Sequence, residues 1–231
     1  LVSLDNNIKN QQCKINIIKA GDKVLKILAA TKNQHKLQEI RQMLDEADLD
    51  FDIEILGAND VEGFPEIIED GSTFEENAQK KALEASNFTG LAAFADDSGL
   101  AVEALNGAPG VFSARYAGED ANDAERMAKL LKELGNNENR RAKFVCAIAV
   151  AYNGEIIETF TGEVHGVIAD KPRGDQGFGY DPLFIPDGYD LTFGELGADV
   201  KSKISHRAKA VQAVRDFIEE ELETLEGFEL I

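Results

Sequence analysis

The sequence predicts an α/β fold with a mixed central sheet and helices packed around it. Three observations carry this reading. Strand-like and helix-like stretches alternate from Val24 to Leu134, which favours parallel pairing with helical crossovers. Two long apolar runs, Ala142 to Tyr152 and Glu155 to Val167, then meet at Asn153-Gly154, the dipeptide of a tight antiparallel hairpin. A sheet that holds both kinds of pairing is mixed. Finally, no internal repeat and no low-complexity linker divides the chain, so residues 24–231 are expected to form one domain with two lobes around a cleft.

The elements follow in order. Val24 to Ala30 reads as the first strand and ends in Thr31-Lys32-Asn33. A helix is expected from Gln34 to Ala47, because Leu37, Ile40 and Leu44 fall on one stripe. Phe51 to Leu56 alternates apolar and acidic residues as a half-buried strand does, and Asn59 to Gly71 is a loop rich in Gly, Pro and acid. Thr73-Phe74-Glu75-Glu76 has the form of a capping box. It opens a helix to Asn87 whose apolar face is alanine (Ala78, Ala82, Ala85), which permits close packing on a sheet. Leu91 to Asp96 is the next strand, ended by a Ser98-Gly99 turn. A glycine-punctuated stretch, Asn106 to Tyr116, leads to a helix from Asn122 to Leu134 that Gly135 closes. After the hairpin, a loop-rich segment from Asp170 to Asp190 precedes a last helix, His206 to Leu225, with Val211, Val214, Ile218 and Leu222 inward.

Composition narrows the function. The 231 residues are 43% hydrophobic, enough for a sizeable core, and no apolar run approaches the ~20 residues that span a bilayer. Leu1 to Lys19 is polar and Asn/Lys-rich, unlike a secretory signal, and residues 1–23 are expected to be a flexible extension. The net charge is −19, from 43 acidic and 24 basic residues. Such a surface repels DNA, RNA and anionic membranes, whose binding needs clustered Lys and Arg. It leaves room for a small anionic substrate, because a local basic pocket and a metal invert the field. The acidic runs Asp45 to Glu54 and Glu219 to Glu226 read as solvated faces. Cys13 and Cys146 are the only cysteines; with no disulfide framework and no cysteine metal spacing, a reducing, cytoplasmic setting is expected.

Four stretches carry chemistry. In Phe94-Ala95-Asp96-Asp97-Ser98-Gly99-Leu100, two adjacent carboxylates meet an apolar strand. Burying a carboxylate demands a partner, and neighbours on a strand point to opposite sides, so the two should differ in role. One would face a cleft and hold a hard cation or polarise water, the other being held by backbone donors; the plain alternative is a turn with an Asp cap. No Cys or His cluster is present, so an oxygen-liganded ion is the metal to expect. Thr31-Lys32-Asn33-Gln34-His35-Lys36 lies at a strand-to-helix junction, where free N–H groups and the helix dipole favour an anion; it is equally a capped helix start with two surface lysines.

Gly177-Phe178-Gly179-Tyr180-Asp181-Pro182 frames two aromatics and an acid with glycines. With Leu183-Phe184 after it, it suits either a stacking platform for a base or an aromatic-bearing turn leading into an apolar strand. Lys201-Ser202-Lys203-Ile204-Ser205-His206-Arg207 puts two potential cations in the first turn of the last helix, where they oppose the dipole. Ser205 is an N-cap, but helix stability does not explain Lys201, His206 and Arg207, which points to function. His35 and His165 are lone histidines without an evident partner of their own.

The joint order of these motifs is far more specific than any one. Thr-x-Asn-x-x-Lys, Thr-Phe-x-Glu-Asn-Ala, Ala-Asp-Asp-Ser-Gly-Leu, Gly-Ala-Pro-Gly-Val-x-Ser-Ala-Arg-Tyr-Ala-Gly, Gly-Phe-Gly-Tyr-Asp-Pro and Ile-Ser-His-Arg occur in that sequence between Leu25 and Phe217. Together they resemble the inosine triphosphate pyrophosphatase family. The resemblance implies an elongated mixed sheet with a nucleotide-binding cleft, and a cytoplasmic, homodimeric, Mg²⁺-dependent enzyme. Its substrates would be ITP, dITP and XTP, hydrolysed to the monophosphate and pyrophosphate, with neither nucleic acid nor membrane as partner. By the same resemblance, Thr31, Lys32, Asn33, Gln34, His35 and Lys36 would bind the triphosphate. Asp97 would be the catalytic carboxylate and a metal ligand, with Ser98 beside the substrate and Asp96 supporting the turn. Phe178, Gly179, Tyr180 and Asp181 would hold the base; Lys201 would reach phosphate or base, and His206 with Arg207 would read the purine edge. A second metal carboxylate would come from Pro65 to Gly71, where Glu69 aligns best beside Glu66 and Asp70. Related pyrophosphatases for modified pyrimidine or 7-methylguanosine triphosphates, and a non-catalytic nucleotide sensor, are the competing readings.

Overall fold

The computed structural model describes the backbone of residues 24–45 and 52–229 and the side chains of residues 26–43 and 54–218. The expected extension over residues 1–23, with Cys13, lies outside the described residues, as do Ala47, Phe51 and the side chains of Leu44 and Leu222. The strands are β1 (Val24–Ala29), β2 (Asp52–Gly57), β3 (Ala92–Val102), β4 (Arg141–Tyr152), β5 (Glu155–Ile168) and β6 (Phe184–Pro186). The helices are α1 (Gln34–Asp45), α2 (Phe74–Thr89), α3 (Asp123–Leu134), α4 (Phe193–Leu196), α5 (Ala198–Ile204) and α6 (His206–Glu229).

The strands form one mixed sheet in the order β2-β1-β3-β4-β5-β6. β1 pairs in parallel with both β2 and β3, whereas β3–β4, β4–β5 and β5–β6 are antiparallel. The alternating first half and the Asn-Gly hairpin thus account for the two halves of the sheet. The apolar strand expected as one alternative after the Phe178 turn is present as β6, whereas α4 and α5, between Asp190 and the last helix, went unread because they are only four and seven residues long. Among the described residues, no helix is long and apolar enough to cross a membrane.

β3 departs from expectation. It does not end at the aspartates but runs on to Val102, paired residue by residue with β4 from Ala93↔Ala151 to Val102↔Ala142. Ser98-Gly99 is therefore not a turn. Gly99 marks a close approach instead: a Cβ there would lie 2.6 Å from the Gly110 carbonyl oxygen and closer still to Ser113 Oγ. The Ser113 hydroxyl also accepts from Leu100 N–H at 2.9 Å, which seats the 3-10 segment Gly110–Arg115 against the strand.

The two faces of the sheet pack differently, and this positions the site. On one face, Phe94, Ile148 and Cys146 join Ile27, Leu37 and Ile40 beneath α1 and α6. On the other, Ala93, Ala95, Ala147 and Ala149 meet Ala78, Ala82 and Ala85 of α2, as the alanine stripe predicted. Toward the far end, Leu100, Phe144 and Val164 pack with Leu130 of α3, Leu183 and Phe193. α6 comes close because β5 carries Gly162, where a Cβ would lie 2.6 Å from Ala210 N and nearer the His206 carbonyl.

Caps hold the helix starts. Thr73 Oγ1 accepts from Glu76 N–H at 3.1 Å, but Glu76 returns to Ser72, accepting from its N–H and hydroxyl at 2.7 Å each. Asn122 and Glu125 form a full capping box on α3, and Ser205 Oγ accepts from Ala208 N–H at 3.1 Å.

Candidate active site

β3 is the spine of the site. Successive side chains on a strand face opposite ways, so Asp97 emerges on the α2 face and Asp96 on the face shared with α1 and α6. As expected for neighbours on a strand, the two carboxylates meet different partners. The expectation that backbone donors hold the second carboxylate fails, because cations do so.

Asp97 Oδ2 accepts from Asn77 Nδ2 of α2 at 2.9 Å, and Oδ1 from Ser98 N–H at 3.0 Å. Lys81, one turn further along α2, has its Nζ 3.8 Å from Asp97 and bonded to the Glu69 carboxylate. Lys81 Nζ also donates to the Asp96 carbonyl at 2.7 Å. Glu69 is braced from outside by Arg115, whose Nη2 donates to its carbonyl at 3.0 Å. In the acidic loop, Glu69 sits on the Lys81–Asp97 cluster and Glu66 lines the cleft, while Asp70 pairs with Lys80 at 2.7 Å. Burial pushes the Asp97 carboxyl up and Glu69 adds to that; Lys81 and Lys36 oppose it, and the balance is raised. For Lys81, burial favours the neutral amine, but Asp97 and Glu69 outweigh it and hold the ammonium.

Asp96 is fully buried. Its Oδ2 lies 3.1 Å from Lys36 Nζ, 3.1 Å from Arg207 Nη2 and 3.3 Å from Ser98 Oγ. Burial alone would raise its carboxyl, but Lys36 and Arg207 overcome that and hold it well below the usual range. Asp96 is thus the counter-ion of two site cations, not a prop for a turn. Arg207, 1% exposed, is also paired through Nη1 with Glu39 of α1. Glu39 takes Lys201 Nζ at 2.8 Å, and Lys201 reaches Asp181 at 2.6 Å. Two helix-borne cations and three carboxylates form one chain across the cleft, which is why the Arg207 cation survives in the first turn of α6.

The Gly177–Asp181 turn hangs over this network. Asp181 is buried and accepts from Phe178 N–H at 2.9 Å; burial raises its carboxyl and Lys201 opposes that. Lys201 Nζ lies 4.5 Å from the centre of the Phe178 ring, and His35 stacks on the same ring at 5.5 Å. His35 is therefore not partnerless, nor is His165, which lies 3.4 Å from Glu163. Tyr180 is turned inward, its hydroxyl donating to the Ser113 carbonyl at 3.0 Å. His206 stacks on Phe144 at 4.8 Å; burial, Arg207 and Lys201 all lower its pKa and keep it neutral. Its Nδ1 is buried without a hydrogen-bond partner among the described residues.

A cleft of about 390 Å³ joins these parts. Of the expected residues, Thr31, Lys32, Asn33, Lys36, Glu69, Asp97 and Ser98 line it, with Phe178, Gly179, Tyr180, Asp181, Lys201, His206 and Arg207 opposite. Gln34 and His35 do not. At the α1 start, Asn33 Oδ1 caps His35 N–H at 3.0 Å and Lys36 N–H at 3.2 Å, so the cap reading and a cleft-facing loop are both correct. Glu66 also lines the cleft. Sequence reasoning missed Asn77, Lys81 and Glu39. The first stands in the quoted Thr-Phe-x-Glu-Asn-Ala motif, and Lys81 lies one helical turn beyond it between Ala78 and Ala82 of the alanine stripe, where a lysine calls for a buried partner. Glu39 gave no such signal.

Comparison with known proteins matches this geometry. The Ham1 family model matches residues 27–217. The dITP/XTP pyrophosphatase of Geobacter sulfurreducens is 49% identical over 195 residues, 84% of this chain and 96% of that protein. Among solved structures, a HAM1 protein from Coxiella burnetii has a TM-score of 0.77 at 42% identity, covering 84% of this chain and 98% of that one. The Staphylococcus aureus Ham1 protein has 0.76 at 40% identity, covering 85% and 99%. With its sheet, its cleft and its sequence likeness all spanning the same stretch, this chain belongs to the Ham1 family.

Proposed function

We propose that this protein hydrolyses deaminated purine nucleoside triphosphates, ITP, dITP and XTP, to the monophosphate and pyrophosphate in a Mg²⁺-dependent reaction. The observation that carries the reading is a single cleft with two chemistries: a Glu69–Lys81–Asp97 cluster and an aromatic platform, Phe178, ringed by Lys201, Asp181, His206 and Arg207. The names of the relatives, dITP/XTP pyrophosphatase, point the same way.

Mg²⁺ suits the residues present. Glu69 and Asp97 offer oxygen donors only, and their mutual repulsion helps keep the Asp97 carboxyl raised, so the pair carries negative charge that Lys81 does not fully balance. Among the described residues no group of three or more His, Cys, Asp or Glu is arranged as a metal cage. Two carboxylates completed by phosphate oxygens and water is the usual mode for Mg²⁺ at nucleotide sites. Bound there, the ion would neutralise charge on the phosphate oxygens.

The chain's own groups would do the rest. Lys32 and Lys36 draw the triphosphate to the start of α1, and Asp97 orients and deprotonates a water. The water oxygen forms a bond to the α-phosphorus, the bond from that phosphorus to the α–β bridging oxygen breaks, and pyrophosphate leaves with its electron pair. A raised Asp97 carboxyl is the better base for this task. Phe178 stacks on the base. Hypoxanthine and xanthine carry an acceptor oxygen at C6 where adenine carries a donor. The N–H groups of Phe178, Gly179 and Asp181 are already engaged, so donation would fall to His206 and to Lys201 and Arg207, whose cations would share their hydrogen bonds between their carboxylate partners and the base. An adenine would set its own amino donor against these donors and be mismatched there. The enzyme is read as a cytoplasmic homodimer.

Pyrophosphate release from ITP, with and without Mg²⁺, tests the reaction. A panel of kcat/KM values for ITP, XTP, GTP and ATP tests base choice, and equal rates on ATP would sink the assignment of the base-reading residues. Preferred turnover of a modified pyrimidine or 7-methylguanosine triphosphate would reassign the substrate, and binding without turnover would make the protein a sensor.

A further inference from the structure

Asp123 is the first residue of α3, yet α3 is capped by Asn122 and Glu125. The Asp123 carboxylate is used elsewhere. Its Oδ2 accepts from Gly179 N–H at 2.6 Å, across 56 positions of sequence. Its Oδ1 takes the Arg126 guanidinium. Through Nη1, Arg126 donates to the carbonyls of Ala114 at 2.7 Å and Ala121 at 2.6 Å. Both side chains line the cleft.

Phe178 thus stands between two held amides. Its own N–H is bound by Asp181 from inside the turn, and the next N–H by Asp123 from α3. Gly179 has φ 63°, a left-handed conformation, and nothing lies within 4 Å of the place a Cβ would take. No side chain packs at Gly179 itself, so its own backbone is held by the Asp123 bond, while Tyr180 beside it is buried in the core. Asp181 is itself tied to Lys201, a cleft group, whereas Asp123 is tied through Arg126 to the glycine-rich segment that packs on β3.

We propose that Asp123 is a positioning residue for base recognition: by gripping the Gly179 amide it sets the pose of the Phe178 ring and anchors it, through Arg126, to the segment beneath the cleft. This rests on Phe178 receiving the purine. A carboxylate accepting a short bond from an amide is the stronger kind of hydrogen bond, and small displacements of a positioning group cost rate or affinity disproportionately.

The test compares the full-length wild type with Asp123→Ala and Asp123→Asn, using Mg²⁺ with ITP, inorganic tripolyphosphate as a base-free competitive inhibitor, and amide hydrogen exchange over residues 177–181. For Asp123→Ala the expected result is about tenfold or more faster exchange at the turn and a KM for ITP raised about tenfold. The fall in kcat should be smaller than the rise in KM. The tripolyphosphate inhibition constant should stay within about twofold, since the phosphate end is untouched. Asp123→Asn, which keeps an acceptor oxygen, should recover most of the loss. Unchanged exchange at the turn overturns the proposal, as does a tripolyphosphate constant that rises in step with KM, which would mark a general structural role. If the wild type itself fails to hydrolyse ITP, the functional reading falls, and the exchange measurement still decides whether Asp123 holds the turn.

Discussion

Asp96→Asn is the substitution whose cost the structure predicts most directly. The side chain has no exposed surface, Arg207 beside it is 1% exposed and Lys36 15%. Asparagine keeps the shape and an acceptor for Ser98 or Arg207, but removes the charge that two cations share. Lys36 loses its only ion-pair partner among the described residues, and Arg207 is left with Glu39 alone. Breaking a buried pair while leaving its partner in place costs about 3–5 kcal/mol, against a total domain stability of about 5–15 kcal/mol. For a chain of this size that corresponds to a fall in Tm of about 6–20 °C. Urea unfolding at neutral pH, followed by circular dichroism, measures it. Part of the loss is a buried guanidinium left with one of its two carboxylates, so the Asp96→Asn/Arg207→Met double variant should be less destabilised than the sum of the singles, by about 1 kcal/mol or more. A cooperative unfolding transition with Asp96→Asn costing under about 1 kcal/mol, or single losses that merely add, would refute the argument.

Other outcomes follow from neighbouring features. Asp97→Asn should retain the fold and lose at least ~10²-fold in kcat on ITP; near-normal turnover would move catalysis elsewhere. Burial raises the Glu39 carboxyl, but Arg207 and Lys201 outweigh it and hold it below its ordinary 4.5. Its contribution to stability is thus present above about pH 4.5 and lost as pH falls through the folded value. The stability gap between wild type and Glu39→Gln should therefore shrink below about pH 4.5 in thermal melts, and a gap independent of pH would count against the pairing. Cys146 is fully buried, and burial pushes its thiol up to about 12. Peptide mapping after alkylation should find it labelled no faster than the protein unfolds. Gly162→Ala drives a methyl into the α6 backbone and should cost about 1–3 kcal/mol by urea unfolding; a neutral result would mean that α6 sits less tightly on β5.

Periodicity and turn chemistry made most of the fold legible. Asn153-Gly154 joined β4 to β5, and the alanines at 78, 82 and 85 marked a helix laid flat on the sheet. Ser98-Gly99 misled, because glycine serves a close approach as readily as a turn and only the position of Ser113 decides between them. At the site, motif order brought forward residues that do share a cleft. It could not reveal that Asp96 and Glu39 neutralise Arg207 from opposite sides, since that pairing depends on how α1 and α6 cross β3, a tertiary relation with no periodic trace. Lys81 was more discoverable: a lysine among alanines on a helix face is a charge asking for a partner.

Two like residues side by side on a strand raise a question of registration. Slide β3 by one position and an aspartate would still face α2 where Asp97 now does, so the carboxylates alone do not say which is which. Their neighbours do. Phe94 belongs with Ile148 and Cys146 on one side, and Ala93 and Ala95 with the alanines of β4 and α2 on the other. A one-residue slip would force an aromatic ring into a layer with room only for methyl groups. The size difference between phenylalanine and alanine thus acts as the proofreader that assigns one aspartate to Lys36 and Arg207 and the other to Asn77 and Lys81.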